Sequence, residues 1–301
     1  MNLLIFTFPL SALLIFGMAA GLGVFLTRKF GLGWRLYGIG AATFLLSQAG
    51  HIPFNISLTL LFRRGILQAP PAEWSLAFNA VVLGLSAGLW EELARYAVYR
   101  YWAKDGRSWG RGLLLGAGHG GSEAILIGGL ILLTYVNMLV LQDSDLSLAL
   151  SPEQGAALQN QVTGYWSTAW PASLMGAAER ATTLVAHLAF SVLILQAFLR
   201  RQLRWVWVAV GWHALLDALA VYLAGTWGLA PPGVYRIEAV FGLLAVANLA
   251  IIFRLRSPEP VPEDALPEAQ LPLLATKTAI DLHRIDSTVE GLEHTRYREL
   301  E

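Results

Sequence analysis

Within long apolar runs, this chain places a small set of residues whose types could do chemistry: Glu91, Glu92 and Arg95; His119 and Glu123; His187; His213 and Asp217. An ionised group at the centre of a membrane span costs about 2.5–3.5 kcal/mol, so such residues are rare there and tend to mark working sites. Histidines and carboxylates in a chain with no cysteine fit a borderline divalent ion such as zinc. Such a site takes about three protein ligands and leaves one position for water, from which a neighbouring glutamate can take a proton. His119, His187 and His213 are the candidate ligands, and Glu91 or Glu92 is the candidate base. Peptide hydrolysis needs that nucleophile together with donors for a tetrahedral oxyanion. A metal-free version is chemically open as well, in which a glutamate activates water directly and histidines stabilise the oxyanion.

Spacing supports convergence. Counted at 1.5 Å per residue from the arginine-bearing end of each span, Glu91, His119 and His213 lie at roughly 12–14 Å, and Glu123, Asp217 and His187 at roughly 18–20 Å. Residues scattered at random over separate helices would not share two levels. His119 with Glu123, His213 with Asp217, and Glu91 with Arg95 are each four apart and so share a helix face. The spacing favours Glu91 as the partner of Arg95 and Glu92 as the base, with the reverse assignment open.

The elements that must position these residues are membrane helices. The chain of 301 residues is 55% hydrophobic and 14% charged, against about 25% charged in soluble domains. Apolar runs long enough for a core of about 30 Å cover residues 3–26, 36–62, 74–102, 112–141, 170–199, 205–225 and 234–253. The expected fold is all-α and polytopic, with about seven transmembrane helices in a domain over residues 1–256. Basic residues gather at Arg28, Lys29 and Arg35; Arg100, Lys104, Arg107 and Arg111; Arg200, Arg201 and Arg204; and Arg254 and Arg256. The opposite connections carry only Arg63, Arg64 and Arg236. The positive-inside rule then puts the N-terminus outside and the C-terminus in the cytoplasm. The apolar start lacks a basic leader and reads as a first span.

Residues 142–168 read as an outer loop, part of it at the lipid interface through Ala156, Ala157, Leu158, Tyr165 and Trp166. Residues 257–301 read as a cytoplasmic tail, proline-rich and acidic, disordered in its first half and with a short polar helix around 280–300. Zero net charge excludes a basic nucleic-acid surface. The expected surroundings are a lipid bilayer and a membrane-associated peptide or protein substrate, in the bacterial cytoplasmic membrane.

Some polar residues carry plainer readings. His51 is expected to hydrogen-bond across helices outside the cluster, Glu179 and Arg180 to form an ion pair near the outer interface, and Glu238 to reach the outer headgroups. A G-x-G-x-x-G match at 116–121 lies inside a hydrophobic span rather than after a strand, so it is not a dinucleotide loop. Its glycines are expected to let helices approach closely.

The stretches "EELAR", "GHGGSE", "HALLD" at 213–217 and the Glu179–Arg180…His187 segment resemble the YhfC-type intramembrane metalloproteases, within the wider group of CAAX prenyl endopeptidases and PrsW-like proteases. The resemblance covers residues 85–220. It implies an intramembrane protease whose site combines Glu91, Glu92 and Arg95 with His119, Glu123, His213 and Asp217. Two features depart from the CAAX pattern: the arginine stands one position earlier, and this chain has both His119 and Glu123 where a single histidine is usual. A proton- or ion-coupled transporter is the second reading, since buried His and Glu chains build proton relays. No internal repeat supports it. A non-catalytic scaffold or sensor is the third.

Overall fold

A computed structural model describes residues 2–142, 144 and 151–258. Beyond residue 258 the expected tail, with its disordered first half and short helix, lies outside the described residues. Within them the fold is all-helical, with no strand. The long helices are α1 (Leu4–Phe30), α2 (Arg35–Arg63), α3 (Ser75–Ala97), α4 (Trp109–Gln142), α6 (Met175–Leu199), α7 (Arg204–Trp227) and α8 (Gly233–Arg254), with the shorter α5 (Pro152–Trp166) between α4 and α6. Six of the seven long helices are apolar enough to cross a membrane. The expected seventh, α2, falls short because Gln48, His51, Pro53 and Asn55 interrupt its run. Broad apolar faces such as Leu13, Leu45, Leu133 and Leu243 stay exposed. An exposed apolar surface of that extent requires lipid.

Local chemistry sets the ends. Gly31 closes α1 in the left-handed region at φ 62°, and its N–H returns to the Thr27 carbonyl, a conformation glycine adopts without strain. Helix α5 lies in the segment read from sequence as an outer loop. Ser151 and Gln154 form a reciprocal capping box, with Pro152 at the first turn. The Tyr165 ring stacks on Phe8 at 4.2 Å, and Trp166 donates to the Met138 carbonyl at 3.2 Å, so α5 lies back on α1 and α4. After α3 the chain widens into a π turn, Val98–Trp102, closed by Ala103 N–H on the Val98 carbonyl at 2.8 Å. Arg107 donates through Nη2 to the Tyr99 carbonyl at 2.8 Å, satisfying a group that the π turn leaves free.

Packing places the polar level. Helix α3 makes its most extensive contact with α7, because Gly84 and Gly88 bring the two backbones together. A Cβ there would stand 2.4 Å from the Ala214 carbonyl and 2.6 Å from that of Val210. Helix α4 packs on α1, α2 and α6. The largest apolar cluster, including Tyr99, Leu114, Leu115, Val192, Ile194, Ala209 and Ile252, fills the half of the bundle nearer the arginine-rich connections.

Candidate active site

On α3 the adjacent glutamates diverge by about 100°. Glu92 is fully buried. Its Oε1 accepts from Arg95 Nη1 and from His213 Nδ1, the latter at 2.8 Å. Glu91 turns the other way. Its Oε1 accepts from Gln48 Nε2 at 3.0 Å, and its Oε2 lies 3.0 Å from His119 Nε2 and 3.9 Å from His213 Nε2. The partner of Arg95 is therefore Glu92, not the Glu91 that four-residue spacing favoured. Both i+3 and i+4 neighbours lie within reach on a helix, and here Gln48 of α2 and His119 of α4 engage Glu91 instead.

His187 of α6 joins the two halves. Its Nδ1 faces Arg95 Nη2 at 3.3 Å, and its Nε2 lies 2.6 Å from Glu123 Oε2. Its ring centroid is 5.0 Å from that of His119 and 5.9 Å from that of His213. His213 stacks on Phe190 at 4.3 Å, and its Nε2 lies 3.6 Å from Asp217 Oδ2. Glycines of the 116–121 stretch make this density possible. A Cβ at Gly118 would stand 1.9 Å from the Tyr37 carbonyl, and one at Gly120 2.9 Å from the His187 Cβ. So α2 and α6 close on either flank of His119.

The donor chemistry fits a divalent ion. Ligand atoms of Glu91, His119 and His187, all buried, lie within 4.8 Å of one another, and His119 Nδ1 is buried without a hydrogen-bond partner. The two imidazoles suit zinc better than a harder ion, and the carboxylate of Glu91 stands close enough to act on a water that such an ion would hold. The Glu123–His187 pair is the kind of carboxylate contact that orients a ligand ring, and it leaves Nδ1, which here faces Arg95, as the nitrogen that would ligate. His213 borders this group through its 3.9 Å approach to Glu91.

A cavity of about 430 Å³ reaches the site between α6, α7 and α8. Glu91, Glu123, His187, His213 and Asp217 stand at its inner part, whereas Met175, Ala224 and Val234 mark its other end. That end adjoins the α7–α8 connection, opposite the arginine-rich loops. One plainer reading needs correction and another is extended. Glu238 lines this cavity with Oε2 buried, rather than reaching the headgroups. Arg180 pairs with Glu179 as expected but also donates to Glu123 at 2.6 Å, which ties the pair to the site. His51 stays outside the cluster, bonded to Ser86 and Gln48. Gln48 itself escaped the sequence reading, because one uncharged amide carries no motif. Its only signal was a polar residue one turn before His51.

Comparison with known proteins gives the family. Residues 12–237 match the family model described as YhfC intramembrane metalloprotease. The chain is also 30% identical over 226 residues to the uncharacterized membrane protein YhfC of Bacillus subtilis (strain 168), covering 70% of this chain and 82% of the relative. No solved structure matches at a significant level. With the match spanning every residue of the polar cluster, the chain is an integral membrane protein and belongs to the YhfC intramembrane metalloprotease family.

Proposed function

We propose that this protein is an intramembrane endopeptidase of the bacterial cytoplasmic membrane, cutting a membrane-associated peptide or protein with Glu91 as general base. The observation that carries this reading is the asymmetry of the glutamate pair. Glu92 is committed to Arg95 and His213 behind the cavity wall, whereas Glu91 lines the cavity with Oε2 among the histidines. His119 and His187, with His213 beside them, would hold a zinc-type divalent ion. When bound, it supplies Lewis-acid activation of water.

The remaining work falls to the chain. Glu91 Oε2 accepts the proton, Glu92 orients the His213 ring through Nδ1, and Glu123 orients His187. Asp217, exposed to the cavity and near His213 Nε2, is placed to assist proton transfer to the leaving amine. The seven long helices are continuous rather than broken at the site, which favours hydrolysis over coupled transport.

The test is metal content and cleavage in purified, lipid-reconstituted protein. The wild type is expected to retain a divalent metal and to cut a membrane-inserted peptide, and His119→Ala and His187→Ala are each expected to lose the metal. Metal retained by both variants would remove the proposed ligands. Undiminished cleavage after chelation would leave the metal-free glutamate mechanism in its place.

Topology is part of the proposal. The N-terminus is placed outside, the arginine-rich connections in the cytoplasm, and the cavity therefore opens to the outer side. A tag placed after Ser257 should be digested by protease added to the cytoplasmic side of inverted vesicles. Protection there would reverse the orientation.

A further inference from the structure

Helix α2 carries polar residues that neither the metal donors nor the Arg95 pair require. Gln48 is the one that touches the site. Both hydrogens of its Nε2 are used: one goes to Glu91 Oε1 at 3.0 Å, the other to Ser47 Oγ at 3.4 Å. Its Oε1 lies 3.3 Å from His51 Nδ1, and His51 Nε2 lies 3.1 Å from Ser86 Oγ. The orientation of the carboxamide follows from these partners. Only the NH₂ end can face a carboxylate, so the oxygen must accept from His51 Nδ1–H. The ring's Nε2 is then an acceptor for the Ser86 hydroxyl, which otherwise donates to the Leu83 carbonyl. An amide satisfied at each end cannot swing away from Glu91.

The consequence lies in the two oxygens of Glu91. With Oε1 occupied by Gln48, the carboxylate is pinned in rotation about its last bond, and Oε2 is presented to His119 and towards His213. Without that anchor, nothing among the described contacts holds Oε1. Trp90, next to Glu91, packs over Gly50 so closely that a Cβ at Gly50 would meet its ring at 2.2 Å. The α2–α3 seam is therefore tight at the level where Gln48 crosses it. We propose that Gln48, braced by His51 and Ser86, is the positioning residue that aims the Glu91 carboxylate at the histidine cluster.

This inference rests on the proposed role of Glu91, so the experiment reads the carboxylate directly as well as the rate. Infrared difference spectra of reconstituted wild type against Glu91→Gln identify the Glu91 carboxylate stretch. In Gln48→Leu that band is expected to shift, because one hydrogen bond to the carboxylate is gone. Turnover of a membrane-inserted peptide is expected to fall about 10–100-fold, the usual effect of removing a supporting hydrogen bond, mainly in kcat rather than KM. In a Glu91→Gln background the same Gln48 substitution should have no further effect on rate, and His51→Phe should add nothing to Gln48→Leu. If Gln48→Leu does not insert, Gln48→Asn withdraws the amide by one methylene and is read in the same way. An unmoved band in a folded variant overturns the proposal, and so does a fully additive rate loss in the Glu91→Gln background. A shifted band in a protein that cleaves nothing would sink the protease reading while leaving the hold of Gln48 on Glu91 intact.

Discussion

Glu91→Gln should yield a folded, membrane-inserted protein that retains its metal and cleaves only at a small residual rate. Glutamine keeps the volume and keeps an oxygen for Gln48, but it cannot accept a proton from water. General-base catalysis contributes about 10²–10⁴-fold, and the loss should appear in kcat and kcat/KM together, the signature of an interaction made in the transition state. Single-turnover cleavage of a labelled membrane peptide measures it, with melting temperature and metal content as controls. A normal rate would take the base role from Glu91. Loss of metal in the same variant would make Glu91 a ligand instead.

Glu92 should behave differently, because it compensates a charge. Glu92 and Arg95 have no exposed surface, and removing one partner of a buried ion pair costs about 3–5 kcal/mol because the other charge is left uncompensated. Glu92→Ala should therefore lower the unfolding midpoint in detergent and lose activity, since His213 Nδ1 is released at the same time. Replacing the pair together, Glu92→Gln with Arg95→Met, should recover most of the stability without recovering cleavage. A Glu92→Ala protein as stable as wild type would show that Arg95 finds another partner. Recovery of activity in the double variant would show that the pair serves the fold alone.

How far the sequence could carry these conclusions depends on which physical rule sets each feature. Depth along a helix is fixed by residue count, so the common level of Glu91, His119 and His213 was legible, and the structure brings these residues into contact. Which glutamate meets Arg95 was not legible, because a helix offers both neighbours and the choice is made by Gln48 and His119 on other helices. The capping box that starts α5 was present in the sequence as Ser151 and Gln154, but acidic and apolar residues read together as an interfacial loop concealed it. The inward turn of Glu238 depends on a cavity shared by three helices, and no count along one helix reveals it.

The apolar cluster on the arginine side of the site has a consequence for the cell's energetics. A membrane that stores work as a proton gradient holds about 2.3 kcal/mol per charge for each 100 mV. A water-filled passage lined by carboxylates and imidazoles from face to face would drain it. Tyr99, Leu114, Leu115, Val192 and Ile194 are fully buried between the polar level and the arginine-rich connections, while the cavity runs the other way, towards the α7–α8 connection. Under the proposed function, water and the released peptide would share the entrance on that side, and the buried apolar layer would keep the bilayer insulated on the other.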